Sequence, residues 1–501
     1  MAATTTDQDS LKDAKMSASE VKVDVLQATT QSWSDADEKK LVRKMDLRIF
    51  PIMIILFILN FIDRNNFANA RLKGLEEDLN LTDVQYQTCI SILLVGYVAM
   101  QIPSNMFLTV IPRPSWYLCA CVATWGLISA ATGAIQNATG AILCRFFLGC
   151  VEASFFPGSL YFLSRWYTRS EMQLRVTILN AGNLSAQAFG GLIAAGILSG
   201  MEGDLGLRSW RWLFIVEGAV TIAFAAIAVF ILPDYPATTS WLSVEEKQIA
   251  QGRLALDAGL AADDFTGEDI SAFTGLKMAV KDPKTWLLGL TYHATIMGLS
   301  FVFFFPTITQ ALGYNTTSTL LLTAPPWIWA MLVSLPNAWH ADRTGERFLH
   351  YLGPALTCIT GYIISATTTT TAPRYVAMFM MTTGFASGFV ILAWISNTIP
   401  QPAAKKAAAI AIVNSMGNIG SIPGSYIWPR SYGPLYVKSF GAEIAILGFA
   451  CCMALVLRFY LKRENQKLDR EEGRVGIGAD GKAVEVEAAA GTGQKGFRYL
   501  Y

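Results

Sequence analysis

Apolar runs of about 20 residues, each long enough at ~1.5 Å per residue to cross a ~30 Å hydrocarbon layer, recur throughout this 501-residue chain. They fall at roughly 49–69, 86–110, 115–135, 139–163, 176–199, 210–232, 285–309, 318–340, 348–369, 374–399, 406–428 and 440–461. A chain immersed in lipid must satisfy its own backbone hydrogen bonds, so an all-α membrane protein with twelve crossings is expected. Composition agrees, because 52% hydrophobic against 15% charged residues is too apolar for a soluble protein of this length. The net charge of +1 conceals crowding of charge into both ends, the middle and short loops. Nothing in that distribution resembles a nucleic-acid footprint.

The eight cysteines, Cys89, Cys119, Cys121, Cys144, Cys150, Cys358, Cys451 and Cys452, all lie within these runs and read as small apolar filler. His293, His340 and His350 lack an acidic or cysteine partner at ligand spacing, so no metal site is expected. No nucleophile and base pair and no phosphate-binding glycine loop occur, which argues against an enzyme and gives no reason to expect a cofactor.

Six runs stand on each side of a polar stretch, dividing the chain into halves at 48–233 and 284–461 around a linker at 234–283. Within the linker, Ser243-Val-Glu-Glu246 is a capping-box pattern that predicts a water-exposed helix from Lys247 to Leu256. Residues 1–47 lack the apolar core and cleavage site of a secretory signal and read as a disordered cytosolic tail, as do residues 462–501. Basic residues before the first run (Lys39, Lys40, Arg43, Lys44, Arg48) and after the last (Arg458, Lys462, Arg463) place both termini in the cytosol. The three triplets Asn80-Leu-Thr82, Asn137-Ala-Thr139 and Asn315-Thr-Thr317 then fall outside, making Asn80, Asn137 and Asn315 glycosylation candidates. The plasma membrane is the expected location.

Asp63 and Arg64 sit in the first run, followed by Asn65 and Asn66, and ionisable groups at such depth usually face a water-filled cavity. Arg145 and Glu152 in the fourth run are seven residues apart, hence two turns apart on one helix face, with Gly149 between them leaving room for a neighbouring helix or a ligand. Counting from each run's start puts Asp63 ~21 Å from the cytosolic boundary, Arg145 about 6 Å and Glu152 about 16 Å from the outer one. If the first and fourth spans face each other, two arginines and two acids line one cavity. The competing reading is a structural network of buried ion pairs. Amides at Asn180, Asn183 and Gln187 in the fifth run, at Asn414 and Asn418 beside Gly417 and Gly420 in the eleventh, and Tyr97, Gln101, His293 and Asn397 either bond a substrate or join helices. Trp327 and Trp329 read as packing or interfacial residues.

Motifs in register then point to a family. Asp342-Arg-Thr-Gly-Glu-Arg347 resembles the signature loop of major facilitator transporters, whereas the matching loop of the first half, Ile111-Pro-Arg-Pro114, has lost the pattern. Phe61-Ile-Asp-Arg64, Gln101-Ile-Pro-Ser104, Arg145-Phe-Phe-Leu-Gly149-Cys-Val-Glu152-Ala, Trp210-Arg-Trp-Leu-Phe-Ile-Val-Glu217-Gly and Leu232-Pro-Asp-Tyr-Pro236 are similar to those of the anion:cation symporter family. The nearest likeness is to its fungal allantoate, nicotinate and pantothenate permease branch, over about residues 40–465. The resemblance implies the major facilitator fold, with two six-helix halves and a midplane site. It also implies that Arg64 and Arg145 hold a substrate carboxylate, that Asp63 and Glu152 take up the driving proton, and that Asn418 contacts substrate. Asp342, Arg343, Gly345 and Arg347 would form a gating loop. The expected partners are a small organic anion, protons and the lipid bilayer, with the protein acting as a monomer. An exporter working by proton antiport and a nutrient receptor without flux are the rival functions.

Overall fold

In the computed structural model, residues 33–111, 113–263, 272–399, 402–472 and 498–500 are described, and every regular element among them is helical. Local signals set where the helices begin. Thr82 and Gln85 form a reciprocal capping box at the start of α2 (Asp83–Val110), after α1 (Asp35–Arg71) has ended. Pro114 opens α3 (Pro114–Thr132), Asn137 caps the rod α4 (Ala138–Ser164), and Thr168 with Glu171 caps α5 (Arg169–Gly200). The first half closes with α6 (Ser209–Ile231). The second half comprises α7 (Pro283–Gln310), α8 (Thr316–Thr344), α9 (Phe348–Thr367), α10 (Thr371–Thr398), α11 (Ala403–Gly424) and α12 (Val437–Glu472). Among the described residues, nine rods are long and apolar enough to cross a membrane. The other three, α2, α5 and α11, have comparable lengths of 28, 32 and 22 residues and carry polar stripes.

Within the first half α1 packs on α5 and α6, α2 on α4, and α3 on α6; in the second, α7 packs on α11 and α12, and α9 on α10 and α12. The halves meet through α5 against α8 and α2 against α11. Start of α1 and end of α12 share one side, called here the terminal face; the opposite side is the far face. Asn80, Asn137 and Asn315 are all exposed on the far face, and the last two also use their side-chain oxygens as helix caps.

Linker residues Ser243 and Glu246 cap each other as the sequence predicts, but the helix is longer, Val244–Asp263, and a second follows at Ala272–Lys281. The first is pinned to the terminal face: Lys44 Nζ meets Glu246 at 2.7 Å, and buried Arg253 meets Glu171 at 2.9 Å. Burial opposes charge on Glu246, yet hydrogen bonds from Lys44 and from the Ser243 backbone, with the Lys44 charge, hold its carboxyl below the usual carboxylate range.

Two expected tails differ. Helix α1 starts at Asp35 rather than near residue 48, and α12 continues past 462 to Glu472, because Glu, Lys, Arg and Gln are good helix formers. Near the C-terminus, Tyr499 is buried and exchanges two 2.9 Å hydrogen bonds with Asn465, while Trp394 Nε1 donates to the Leu500 carbonyl.

Candidate substrate and proton site

Adjacent residues on a helix point about 100° apart, so Asp63 and Arg64 must face different neighbours. Arg64 faces α4: its Nε and Nη2 donate to Glu152 Oε2 at 3.1 and 2.9 Å. The same guanidinium lies over Tyr97, 4.9 Å from the ring centroid, and over Phe61 at 5.3 Å. Arg145, two turns before Glu152, donates from Nε to the Cys89 carbonyl at 3.2 Å and from Nη2 to the Arg64 carbonyl at 3.1 Å, and lies over the Phe67 ring at 5.1 Å. Its Nη1 is buried with no hydrogen-bond partner among the described residues, and so is Glu152 Oε1. Leaving such a donor unpaired costs ~1–3 kcal/mol, which an incoming acceptor would recover.

Asp63 does not join this group, contrary to the expected four-residue cavity. It is buried and turned the other way, accepting from Ser129 Oγ of α3 and Thr221 Oγ1 of α6, each at 2.9 Å. One turn on, Asn66 Nδ2 donates to Glu217 of α6, so α1 and α6 are joined by two successive rungs. Glu217 is buried with one oxygen unpartnered among the described residues and was not singled out from the sequence. The signal was present: an acid inside the apolar motif Trp210 to Gly218.

Gly149 admits a helix rather than a ligand. A Cβ there would lie 2.8 Å from the Leu93 carbonyl carbon and nearer still to its oxygen. Thus α4 grips two successive turns of α2, through Arg145 at Cys89 and Gly149 at Leu93.

Of the softer candidates, His293 Nδ1 meets the Met416 carbonyl at 2.8 Å and joins α7 to α11. Gly420 lets α11 approach the His293 backbone. Asn414 and Asn418 are half-buried and make no hydrogen bond to described residues. Gln187 lines a narrow cleft between the halves near the far face, with Asn65, Asn69, Gly191, Thr323 and Trp327. The Asn180 side chain lies outside what is described. Trp327 is buried against Phe301, Phe305 and Phe385, and half-exposed Trp329 donates to Thr383 Oγ1 at 3.1 Å.

In the signature loop Arg347 pairs with Asp342 at 2.7 Å and, with the Asn397 amide oxygen facing it, donates to that oxygen from Nη2 at 2.9 Å and Nε at 3.2 Å. Gly345 caps α8 at φ +68°, a left-handed conformation suited to glycine, and Arg343 lies over Trp339. Glu346, which replaces a base, accepts from the Leu349 and His350 backbone N–H groups and so caps α9 with negative charge. His350 does have an acidic partner, contrary to expectation: its Nδ1 lies 2.9 Å from Glu346, four residues before it, while its Nε2 lies 2.6 Å from His340 Nδ1, because the turn folds α8 back against α9. Pro112 of the degenerate first-half loop lies outside the described residues.

A cavity of about 560 Å³ opens between the halves near the terminal face, lined by Met331, Ser334, Asp342, Arg347, Asn397 and Lys406 among others. On the far face a depression of about 760 Å³, lined by Arg71, Glu76, Glu77, Arg208, Gln310 and Arg430, is floored by contacts that join the halves. There Arg430 N donates to Asp83 at 2.9 Å and Arg430 Nη1 lies 3.3 Å from Glu77, Tyr426 lies 3.1 Å from both Thr88 and Ser91, and Tyr86 packs on Phe304.

Two six-helix halves that part toward the terminal face and are joined by polar and aromatic contacts toward the far face fit an alternating-access architecture. Residues 53–425 match the description Major Facilitator Superfamily. The chain belongs to the major facilitator superfamily. It is therefore a multi-pass secondary transporter. It is 32% identical to the MFS-type transporter cnsO of Penicillium expansum over 450 residues, 87% of this chain and 85% of that protein. It is 30% identical over 388 residues to a putative tartrate transporter of Agrobacterium vitis, covering 77% of this chain and 87% of that one. Among solved structures, an inward-facing, unoccupied bacterial homologue of the human lysosomal transporter Spinster superposes with TM-score 0.66 at 14% identity, over 82% of this chain and 97% of that one. A D-xylose-proton symporter gives TM-score 0.60 at 15% identity, over 81% and 97%. These likenesses are of fold.

Proposed function

We propose that this major facilitator transporter imports a small organic anion together with protons, as a member of the anion:cation symporter family. The observation that carries the reading is the trio Arg64, Glu152 and Arg145. One carboxylate occupies one guanidinium, and a second guanidinium beside it keeps a buried N–H without an acceptor among the described residues. With Glu152 ionised, Arg64 is engaged and an anion gains little. A proton on Glu152 removes the charge that holds Arg64, leaving two cations side by side for a carboxylate, which Arg binds with two-point geometry. Once the cavity opens to the cytosol, loss of the proton restores the Arg64 to Glu152 pair and displaces the anion.

Asp63, behind the trio on the α3 and α6 side, where it accepts from Ser129 and Thr221, is the second proton acceptor. Asn418, Asn414 and Gln187 are the amides left for the rest of the substrate, while His293 is held by backbone. The Asp342 to Arg347 loop gates the cytosolic mouth. The terminal face is taken as cytosolic and the far face, with Asn80, Asn137 and Asn315 as glycan acceptors, as external. The relative described as a tartrate transporter adds a hydroxy-dicarboxylate to the candidate acids.

The test is uptake of labelled tartrate, nicotinate, pantothenate, allantoate and biotin into cells or proteoliposomes at about pH 5 and about pH 7.5 outside. At least one acid is expected to accumulate several-fold faster on the acidic side, with acidification of the interior. Accumulation of none, or efflux driven by an inward proton gradient, would overturn the reading.

A further inference from the structure

Helix α7 does not cross unbroken. It is α-helical from Pro283 to Met297, tightens into a 3-10 segment at Ser300–Phe304, and restarts at Phe305–Gln310, where Pro306 supplies no N–H. The break leaves polar groups to be met from other helices. Tyr362 OH of α9 donates to the Gly298 carbonyl at 2.7 Å. Ser300 Oγ lies 2.9 Å from the Gly424 carbonyl at the end of α11 and 2.6 Å from Glu443 Oε1 of α12. Trp428 Nε1 donates to Glu443 Oε1 at 3.0 Å.

Hydrogens along that chain can be counted. Gly424 O, Ser300 Oγ and Glu443 Oε1 are three oxygens joined by two hydrogen-bond distances, and two hydrogens are needed. Ser300 has one. A carbonyl has none, so the arrangement that gives each distance its own hydrogen puts the second on Glu443: its O–H donates to Ser300, and the Ser300 O–H donates to Gly424. If Glu443 were ionised, Ser300 could serve one oxygen only and would face the other as a like dipole. The surroundings agree. Glu443 is fully buried, and among the described residues its Oε2 has no hydrogen-bond partner and no Lys, Arg or His pairs with it. The titratable groups facing it are Cys358 and Tyr362 of α9, and Tyr436 packs on its partner Trp428. A buried carboxylate without a cation is too costly to keep, so the site holds a proton or opens to water.

We propose that Glu443 is a further proton-binding site, whose proton latches the break in α7 onto α11 and α12 and so is required to shut the far side. It lies within two turns of the far-face end of α12 and bonds Trp428, which stacks on Phe304, itself packed on Tyr86 of the other half. Parting the halves there brings water to Glu443; an ionised Glu443 cannot rebuild the chain, and closure then waits for a proton from that side. The proposal deepens the proton-coupled reading above and rests on it for its role in transport.

Its test needs no substrate. Hydrogen-deuterium exchange is measured on the purified full chain in lipid nanodiscs at about pH 5.5 and about pH 8, corrected for the intrinsic pH dependence of amide exchange. Wild-type peptides covering 298–310 and 424–440 are expected to exchange at least roughly threefold faster at the higher pH, while peptides of α3 do not change. Glu443→Gln is neutral at both pH values but its amide cannot both donate to Ser300 and accept from Trp428 as a carboxyl O–H does, so it is expected to exchange at one rate at both pH values, whatever its absolute protection. Wild-type protection independent of pH overturns the proposal without any variant, and so does a Glu443→Gln protein that loosens at high pH as the wild type does. Failure of the transport reading is separate: a protein that takes up no acid, yet shows the Glu443-dependent protection, refutes the symport and leaves the latch.

Discussion

Gly149 is the position where one methyl group tests the geometry of the whole site. A Cβ there would stand 2.8 Å from the Leu93 carbonyl carbon and 3.0 Å from its Cα, with the oxygen nearer still. Ordinary carbon contacts are about 3.5–4.0 Å, so Gly149→Ala requires α4 to withdraw from α2 by on the order of 1 Å. The obstacle is backbone, which cannot rotate away as a side chain would. Overpacking of this kind costs ~1–3 kcal/mol. The same withdrawal carries Arg145, one turn before, away from its 3.2 Å contact with the Cys89 carbonyl, and shifts Glu152 against Arg64. Misplacement of ~1 Å in a preorganised site lowers its performance by about 10²-fold. Gly149→Ala is therefore expected to lower the thermal midpoint of the purified protein by several degrees, and to reduce substrate exchange in proteoliposomes by at least roughly tenfold per correctly inserted molecule. The control is Gly196→Ala on α5, where a Cβ meets nothing within 4 Å and full activity is expected. Wild-type stability and exchange in Gly149→Ala would refute the argument that the α2 to α4 contact fixes the arginine.

Three further outcomes follow. Arg145→Lys keeps charge but loses the planar donor set that reaches both the Cys89 and Arg64 carbonyls, so anion affinity is expected to fall at least about tenfold, ~1.4 kcal/mol, in equilibrium binding. Arg430→Ala removes the exposed ion pair to Glu77 that spans the halves on the far face. Worth up to ~1 kcal/mol, its loss is expected to raise labelling of a cysteine placed at Asn69 by an impermeant maleimide up to about fivefold, and unchanged labelling would show the lock to be idle. Tags at both termini are expected to be reached only after permeabilisation, and a tag exposed in intact cells would overturn the assigned orientation.

What could be read from the sequence was what depends on neighbours along the chain. Apolar runs mark helices because lipid allows few alternatives, and capping boxes such as Ser243 with Glu246 fix helix starts within one turn. Arg64, Arg145 and Glu152 were visible because charge in an apolar run is rare. What escaped depends on neighbours across space. Asp63 was grouped with the arginines although it is adjacent to Arg64 and must point elsewhere, toward Ser129 and Thr221. Glu217 and Glu443 are single acids in apolar helices, and nothing within a turn of either announces Asn66 or Ser300 as its partner. The pairing of Tyr499 with Asn465 spans 34 residues and has no local sign.

The central claim is that a proton on Glu152 frees Arg64 for the anion. Glutamine mimics the protonated acid in shape and neutrality, so Glu152→Gln separates binding from coupling. In proteoliposomes loaded with unlabelled substrate, the variant is expected to exchange labelled for unlabelled anion, because exchange needs no release of that proton. Uphill accumulation driven by an acidic exterior is expected to vanish, with most of the pH dependence of transport. A Glu152→Gln protein that concentrates substrate as the wild type does would contradict the account.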